Sequence, residues 1–580
     1  MTTTVERAPL VRRAGALVAA RVQLSHAAVA LPLAAYAVAA LIIPTLANVA
    51  VTDDWVYYRG VETLLLQHQL RVHEMSSAAT VFQTLWGAAF ASLFGLSFGV
   101  LRVSTVVMVA VGGLAFYALS RELSLSRGWS VLGMAACLFH PLFLSLAYTF
   151  MTDPHFVALV LIATWLYVRG LRVAETRAGW VVAGSIVAAC SVLVRQQGVL
   201  LPAGVLFALA MSGRLSRPLR ALRLLLQTSA IPAVTAVAFT VWLREFNGTP
   251  WALSLFWSDI ATAGWGGVLG LGPRLAVTEA LYVGFFVLPI AVACLSRPRR
   301  LGQDLRGWAR LAALAWATFV SVGAVAFWLG GQRTMPYVGQ FVTPTGIGPE
   351  DLIAARPVLL ELPARGALTV VCVLASILTG VVVAERISAT SRFLGSSAGI
   401  ATGVALGQLA GTVPPSVHFI GWGGTLDRYL LPLLPFAILL LTWAVRRVRV
   451  SLPVAWLAVA LMGAWAVAGT RDHLMFLDSV WSLAAEANTL GVPNTRLDAG
   501  AGWDGFHVYV RPPDPALRPL TPNPPWWTEL FAPQTDSSYV VAGAPLAGHA
   551  IVLERSYWSA LQERWLSLYL LRRSGVQGPP

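Results

Sequence analysis

The chain has 580 residues, of which 57% are hydrophobic and 12% are charged, and its formal net charge is +14. A soluble domain carries roughly twice that charged fraction, so the composition excludes an ordinary soluble protein. The sequence contains no lysine, and its arginines cluster in short gaps between long apolar runs. The positive-inside rule describes this distribution for membrane proteins, so the positive charge does not indicate nucleic-acid binding.

The apolar runs predict the fold class. Runs of about 17 to 25 residues recur along the chain, and each is long enough to cross a hydrocarbon core of about 30 Å. They predict an all-α polytopic membrane protein with about 13 transmembrane helices. The arginine-rich start of the chain places the N-terminus in the cytoplasm, and an odd number of spans then places the C-terminus on the extracytoplasmic face.

Residues 1–469 are predicted to form the transmembrane domain, and residues 470–580 are predicted to form a small extracytoplasmic α/β domain. From about residue 470 the sequence becomes rich in Pro, Gly, Trp and Asp, and it contains no further run long enough to span a membrane. The segment "SSYVVAGAPLAGHAIVLERSYWSALQERWLSLYLLRR" predicts a strand, a turn, a second strand and an amphipathic helix.

The apolar run 79–98 is predicted to lie in the external interface without crossing the membrane. With this choice, all later arginine clusters fall on the cytoplasmic side; if the run crossed, those clusters would be inverted. Residues 52–101 therefore form an external loop with juxtamembrane helices in this prediction.

Two acidic residues, Asp53 and Asp54, follow the first apolar run directly in "TDDWVYY". A carboxylate that is partly desolvated beside a second one is a good base for a hydroxyl group, so both are candidate catalytic residues. The alternative is that an aspartate caps the following helix. Tyr57 and Arg59 come within two helical turns and are candidate substrate ligands.

A third acidic residue, Asp153 in "FMTDP", falls on the same predicted side of the membrane and is also a candidate catalytic residue. Asp before Pro is a common arrangement at the start of a helix, which is the alternative interpretation.

Arginines at the external face oppose the positive-inside bias and therefore need an anionic partner. Arg195, followed by Gln196, separates two apolar runs, and its partner is predicted to be either a phosphate group or Asp53 or Asp153. Arg428 and Tyr429 enter a later span, with Asp427 as a candidate partner of Arg428. The candidate substrate ligands among them are Arg195, Gln196, Arg428 and Tyr429, and Arg102 is a further one.

No metal-ligand spacing is recognisable in the sequence, so no cofactor is predicted. His68, His73 and Glu74 are the grouping that could contribute to a divalent-cation site. A nucleotide-binding fingerprint is also missing, which disfavours a sugar nucleotide as a substrate.

Four motifs in chain order resemble those of the GT-C glycosyltransferases, in the group that contains protein O-mannosyltransferases and lipid A aminoarabinose transferases (glycosyltransferase family 39-like). The motifs are "TDDWVYY", "FGLSFGVLRVSTVVM", "FMTDP" and "DRYLLPLLP", and the resemblance covers roughly residues 30–215 and 415–450. It implies a bacterial inner (plasma) membrane enzyme that moves a hexose or pentose from a polyprenyl-phosphate donor. The acceptor is a glycan, lipid or protein on the extracytoplasmic face.

The resemblance also implies roles for individual residues. Asp53 matches the general base of the group, with Asp54 beside it; Asp153 matches a second acidic position; Arg428 matches a late arginine near the donor phosphate. The chain departs from the group wherever a lysine has a role, because it has none. Two alternatives stay open: a ligase or polymerase of polyprenyl-diphosphate-linked glycans, and a polytopic transporter of lipid or solute.

Overall fold

The structure is a computed structural model that describes residues 28–172, 176–295, 305–331, 333–390, 393–422, 424–448, 450–510, 519–521 and 523–576. The arginine-rich start of the chain, used above to orient the protein, lies outside the described residues.

Helices dominate the described residues between 28 and 489. The first ten are α1 (Ala28–Ile42), α2 (Asp54–Gln67), α3 (Val81–Phe94), α4 (Phe98–Glu122), α5 (Arg127–Leu138), α6 (Pro141–Ala147), α7 (Thr152–Gly170), α8 (Ala178–Val192), α9 (Leu200–Met211) and α10 (Pro218–Trp242). The next nine are α11 (Trp251–Phe286), α12 (Leu288–Leu295), α13 (Gly307–Leu329), α14 (Leu362–Ser388), α15 (Ser397–Ala410), α16 (Val413–His418), α17 (Asp427–Leu430), α18 (Leu434–Val445) and α19 (Leu452–Thr489).

Six helical segments in the described part of the chain are long and apolar enough to cross a membrane, or eight if each of two bent helix pairs is one span. The bends lie between α5 and α6, at 63°, and between α11 and α12, at 71°. The prediction of a helical, multi-pass membrane protein is therefore confirmed. The count of about 13 spans is not confirmed, because several predicted spans correspond to helices of 15 residues or fewer, such as α1 and α8.

The first predicted span ends earlier than the apolar pattern indicated. Its hydrophobic run continues to residue 51, but α1 ends at Ile42 and residues 47–51 form no regular structure. Pro44 accounts for the end of the helix, because proline restricts the residue before it and has no N–H to continue the hydrogen-bond ladder. The irregular segment leads directly to the two adjacent aspartates.

Helix α3 occupies the run predicted to remain in the external interface. Its 14 residues are about 21 Å long at the usual helical rise, which is shorter than a hydrocarbon core. Its length agrees with the non-crossing arrangement, whose orientation stays a prediction.

The helices pack closely where small residues face one another. Gly204 of α9 lies against the Gly403 backbone of α15, and a Cβ atom at either glycine would meet the backbone of the other helix. Small residues at such contacts let helix backbones approach, which is the usual way that membrane helices associate. This contact fixes α9, which begins just after the Arg195 loop, against the late helices.

The C-terminal region is built on α19, whose 38 residues continue without a break through the predicted domain boundary near residue 470. It contains α20 (Ala501–His507), α21 (Trp526–Phe531) and the strands β3 (Leu497–Asp498), β4 (Tyr539–Ala542), β5 (His549–Ser559) and β6 (Arg564–Arg573). In the sheet order β3-β4-β6-β5, β3 and β4 are parallel and the other pairs are antiparallel. Strands β1 (Val342–Thr343) and β2 (Gly346–Ile347) form a two-stranded sheet in the loop between α13 and α14.

The small α/β region is confirmed, but the predicted final amphipathic helix is wrong. Its residues form β6, which pairs with β5 along the whole hairpin and with β4 on its other side. Alternate residues Leu568 and Leu570 are fully buried against the core of this region. A short run of mixed leucine and arginine fits both the periodicity of a helix and the alternation of a strand. Pairing with two neighbouring strands makes this run a strand.

Candidate functional site

A cavity of about 520 Å³ opens at the end of the helix bundle that carries the C-terminal region. Its lining is divided by chemistry. The polar part includes Asp53, Tyr57, Thr152, Arg195, Gln196, Gln197, Arg428 and Tyr429, and the apolar part includes Val192, Val199, Leu200, Phe239, Leu253, Phe256 and Trp257. A volume of this size fits a ligand of drug-like dimensions.

Asp53 and Arg428 form an ion pair in the polar part of the cavity. The Nη1 atom of Arg428 lies 3.1 Å from Oδ2 of Asp53, and the Asp53 side chain remains 28% exposed while that of Arg428 is 8% exposed. Asp53 precedes the first residue of α2, and Arg428 is the second residue of α17. The pair therefore joins the first loop of the chain to a late helix.

Arg195 forms a second ion pair with Asp153. Its Nη2 atom lies 2.8 Å from Oδ1 of Asp153, and its Nε donates a hydrogen bond of 2.8 Å to the Thr152 hydroxyl. Asp153 is 1% exposed and does not line the cavity, so it holds the guanidinium of Arg195 from behind. Of the two partners predicted for Arg195 inside the protein, the structure selects Asp153.

Both guanidinium groups contact one aromatic ring. The Cζ atoms of Arg195 and Arg428 lie 5.5 Å and 5.1 Å from the centre of the Tyr429 ring. Both distances are within the range of a cation–π contact. Tyr429 thus contacts both guanidinium groups, each of which is also paired with a carboxylate.

Tyr57 completes the polar end of the cavity. Burial, followed by the nearby Asp53 carboxylate, raises the pKa of the Tyr57 phenol above its ordinary value. The hydroxyl therefore stays protonated and can donate a hydrogen bond to an oxygen atom in the cavity.

Asp54 points away from the cavity, although it is next to Asp53. Its carboxylate is buried and accepts hydrogen bonds from the Phe150 amide, at 2.9 Å, and the Val51 amide, at 3.4 Å. Burial, partly offset by Arg102, raises the pKa of Asp54 to about 7. This geometry assigns Asp54 to fastening the first loop onto the α6–α7 turn rather than to contacting a substrate.

Arg102 was predicted to bind substrate, and its position contradicts this. It is fully buried, and its guanidinium donates to the carbonyl oxygens of Thr45, Ala47, Val49 and Tyr148 at 2.8 to 2.9 Å. These contacts satisfy the backbone of the irregular segment after α1. Arg102 therefore shapes the loop that carries Asp53, and none of its three nitrogens is directed to a ligand.

Arg59 also lies outside the cavity, contrary to the prediction. It pairs with Glu62 at 2.6 Å, donates to the carbonyl of Phe506 at 2.9 Å and lies over the Phe506 ring. These contacts attach α2 to the C-terminal region.

Two further predictions concern neighbours of the arginines. Gln196 does line the cavity, and its side-chain amide donates to the Ser77 carbonyl at 3.2 Å. The sequence suggested Asp427 as the partner of Arg428, and the structure gives it other partners. Its carboxylate accepts hydrogen bonds from the amides of Phe341 and Val342 in the loop between α13 and α14.

The apolar wall was not identified from the sequence. Phe239 of α10 and Phe256 and Trp257 of α11 come from helices that looked like ordinary spans. The Gly264 backbone, with φ 54°, breaks α11 so that its first half leaves the direction of the second and covers this side of the cavity. The adjacent aromatic residues Phe256 and Trp257, which precede a Gly-rich stretch, were the feature of the sequence that could have indicated this wall.

In the described part of the chain, no group of three or more His, Cys, Asp or Glu side chains could hold a metal ion. The grouping noted in the sequence has other contacts: Glu74 accepts a hydrogen bond of 2.6 Å from Tyr509, and the His73 ring packs against Trp55.

Residues 83–242 match the protein family described as dolichyl-phosphate-mannose-protein mannosyltransferase. The chain resembles the GT-C glycosyltransferases. The match indicates a glycosyltransferase-type enzyme, and it includes α7, the Arg195 loop and the helix that supplies Phe239. Among curated proteins, no sequence matches this chain.

Several solved structures are similar to this chain. ArnT from Cupriavidus metallidurans bound to undecaprenyl phosphate is 14% identical, with a TM-score of 0.42, covering 95% of this chain and 99% of that chain. The archaeal oligosaccharyltransferase AglB from Archaeoglobus fulgidus, in complex with an inhibitory peptide and a dolichol-phosphate, is 12% identical, with a TM-score of 0.36. That similarity covers 80% of this chain and 58% of AglB.

Proposed function

We propose that this protein transfers a sugar from a polyprenyl-phosphate donor to an acceptor at the membrane face that carries the C-terminal region. The supporting observation is that Asp53, Arg195 and Arg428 line one cavity, part of whose wall is apolar. The description of the family matched by residues 83–242 names dolichyl-phosphate mannose, which is a polyprenyl-phosphate sugar.

The two arginines suit the phosphate of such a donor. Guanidinium groups form forked, charge-assisted hydrogen bonds with phosphate oxygens, and both groups already face the cavity. When the bond from the sugar to the phosphate breaks, negative charge grows on the phosphate. Fixed donors directed at such charge are each worth about 3 to 4 kcal/mol in the transition state.

The Asp53 carboxylate is the proposed general base. It takes the proton of the acceptor hydroxyl while the acceptor oxygen forms a bond to the anomeric carbon of the sugar. The bond from that carbon to the phosphate oxygen breaks, and the polyprenyl phosphate leaves with the electron pair. A donor phosphate that binds Arg428 competes with Asp53 for the guanidinium, which releases the carboxylate for this role. A single displacement of this kind inverts the configuration at the anomeric carbon.

The apolar wall suits the first isoprene units of the carrier. Leu253 and Trp257 lie on it, and Trp257 is 56% exposed at the surface of the bundle. The wall therefore continues from the polar end of the cavity towards the surrounding lipid. Burial of isoprene units against such side chains contributes about 0.8 kcal/mol for each CH₂ group removed from water.

The proposal is tested by the transfer of labelled mannose from polyprenyl-phosphate mannose, in membranes of the native host, by the wild type and by Asp53→Asn. We expect the Asp53→Asn rate to fall at least 100-fold, because the amide cannot accept the proton. A rate within about threefold of the wild type would remove Asp53 from the base role. Asp478→Asn, in an exposed part of α19, is the matched control and should transfer like the wild type.

The same membranes test whether the donor is a polyprenyl monophosphate or a polyprenyl diphosphate. Polyprenyl-diphosphate-linked glycans in place of the monophosphate donor should give no transfer above background. Preferential use of the diphosphate donor would instead support the ligase or polymerase alternative. The sequence left open whether the transferred sugar is a hexose or a pentose. A comparison of transfer rates for a pentose and for mannose on the monophosphate carrier distinguishes the two.

A further inference from the structure

The turn of the hairpin formed by β5 and β6 is fastened to α19 through one carboxylate. Asp472 of α19 accepts a hydrogen bond from the Ser559 hydroxyl at 2.7 Å. It also accepts hydrogen bonds from the amides of Ala560 and Leu561, at 2.8 Å and 2.9 Å. Because three directed donors share one buried carboxylate, the turn has a fixed position along α19.

This position is where the apolar stretch of α19 ends. Residues 452–470 contain no charged side chain and extend about 28 Å at the usual helical rise, which is close to the thickness of a hydrocarbon core. Leu457 and Leu461, within this stretch, are 60% and 64% exposed, as expected of a helix that faces lipid. Arg471 and Asp472 are the first charged residues after the stretch. The turn of the hairpin therefore lies at the boundary of the membrane.

The two ends of the hairpin lie at different levels of α19. A Cβ atom at Gly469 would lie 3.2 Å from the Cδ1 atom of Leu561, so the turn reaches the last part of the apolar stretch. Further from the turn, the Tyr557 ring lies 6.0 Å from the ring of Phe476, on the part of α19 that follows the stretch. The turn is therefore the end of the hairpin that is nearest to the membrane.

Two tryptophans beside the turn are exposed. Trp558 of β5 and Trp565 of β6 are opposite each other in the antiparallel pair, and their ring centres lie 5.8 Å apart. Their exposed fractions are 37% and 67%. The Arg471 guanidinium donates a hydrogen bond of 3.4 Å to the Trp558 carbonyl, so the aromatic pair lies beside the residue that ends the apolar stretch.

The same face of the hairpin becomes polar away from the turn. The next pair on this face is Ser556 and Ser567, whose hydroxyl oxygens lie 3.2 Å apart, and Glu554 follows. A surface for a protein partner has an apolar centre with a polar rim around it. Aromatic residues at one end, with polar residues beyond them, instead suit a structure that enters a lipid interface, because tryptophan combines an apolar ring with a polar N–H.

We propose that the turn between β5 and β6, with Trp558 and Trp565, lies in the lipid interface of the membrane face that carries the C-terminal region. The two rings lie at the level of the lipid head groups, and the exposed Arg564 beside them contacts lipid phosphates. The hairpin thereby gives the C-terminal region a membrane contact in addition to α19. This contact does not depend on the proposed sugar transfer.

Fluorescence quenching by labelled lipid tests the inference. A bimane fluorophore is attached to Trp565→Cys, and separately to Ile551→Cys, in protein reconstituted in phosphatidylcholine nanodiscs that contain a lipid with a nitroxide near its head group. Ile551 is the matched control, because it is 53% exposed and lies on β5 about 23 Å from Trp558 at the usual rise of a strand. The wild type has four cysteines, so its signal after the same treatment is subtracted.

We expect the label on Trp565→Cys to lose at least about half of its fluorescence and the label on Ile551→Cys to lose less than about a tenth, since the first lies at the depth of the nitroxide. Equal quenching at the two positions would overturn the inference. Nanodiscs of the purified protein contain no other protein, so an unquenched label on Trp565→Cys would leave the tryptophans to a protein partner and contradict the lipid contact.

A second label keeps both tryptophans and applies if Trp565→Cys does not fold. Glu563→Cys places the fluorophore at an exposed position of the turn, where we expect the same quenching. Replacement of Trp558 and Trp565 by Ser in this background should lower the quenching about twofold or more, because the rings hold the turn in the interface. Replacement of Ser556 and Ser567 by Ala is the control and should leave it unchanged. Equal quenching with and without the tryptophans would contradict their role in the contact.

Discussion

Asp53 and Arg428 are 375 positions apart in the chain, and the nearest atoms of their charged groups lie 3.1 Å apart. The first loop supplies the carboxylate, and a late helix supplies the guanidinium. Arg195, held by Asp153, adds a second positive group next to the Tyr429 ring. This arrangement places one candidate base and two candidate phosphate ligands around a single cavity, and it leads to the following expectations.

Substitution of Arg428 should affect the chemical step strongly. We expect Arg428→Gln to lower the transfer rate about 100- to 1000-fold, since one directed donor to a developing negative charge is worth that much. Arg428→Lys should recover only part of the rate, because an ammonium group lacks the planar fork. Initial rates with polyprenyl-phosphate mannose measure both. Arg564→Gln, at an exposed position of β6, is the control, and a rate for Arg428→Gln similar to this control would exclude the assigned role.

Substitution of Arg102 should affect folding rather than substrate binding. Arg102→Met would leave four backbone carbonyls without their donor in the protein interior, at a cost of about 3 kcal/mol or more in the free energy of unfolding. Thermal unfolding of the detergent-solubilised protein measures this loss, and Arg310→Met, at an exposed position of α13, should unfold like the wild type. An unchanged unfolding temperature combined with a higher KM for the donor would restore Arg102 as a ligand.

Filling the cavity should weaken donor binding. Ala236 of α10 lines the cavity, whereas Ala238 of the same helix is exposed and does not. We expect Ala236→Trp to raise the KM for polyprenyl-phosphate mannose about tenfold or more, because the indole occupies the space proposed for the isoprene units. Ala238→Trp adds the same side chain on another face and should leave KM unchanged. Equal KM values for the two variants would place the lipid elsewhere.

The buried carboxylate of Asp54 should make stability depend on pH. Its pKa is raised to about 7 by burial, so the folded protein binds a proton that the unfolded chain releases at lower pH. The stabilisation is complete below the unfolded pKa of about 3.9 and is lost as the pH rises through about 7. We therefore expect the unfolding temperature of the wild type to decrease between pH 5 and pH 8 by more than that of Asp54→Asn. Parallel pH profiles for the two proteins would show that Asp54 does not titrate in this range.

The candidate site could be largely predicted from side chains that the membrane makes conspicuous. Charged groups at the edge of an apolar run are costly unless they have a partner, so Asp53, Arg195 and Arg428 stood out in the sequence. All three line the cavity, as do Tyr57, Gln196 and Tyr429. Their catalytic and binding roles stay proposals.

Arg102 and Arg59 were chosen by the same criterion, and the structure gives both other partners. A guanidinium group donates equally well to a phosphate, a carboxylate or a backbone carbonyl, so its presence in the sequence does not reveal which one it meets. The irregular segment after α1 needed donors for its carbonyls, and Arg102 supplies them. That requirement becomes visible only when the end of α1 is known.

The sequence by itself determined the helical membrane architecture and the identity of most charged residues at the site, because hydropathy and the cost of burying charge depend on local composition. Only the tertiary structure decided which acid pairs with which arginine, which of the adjacent aspartates faces the cavity, and that the last segment is a strand. Those outcomes depend on contacts between residues far apart in the chain, such as Asp53 with Arg428 and β6 with β4, and local patterns carry no information about them.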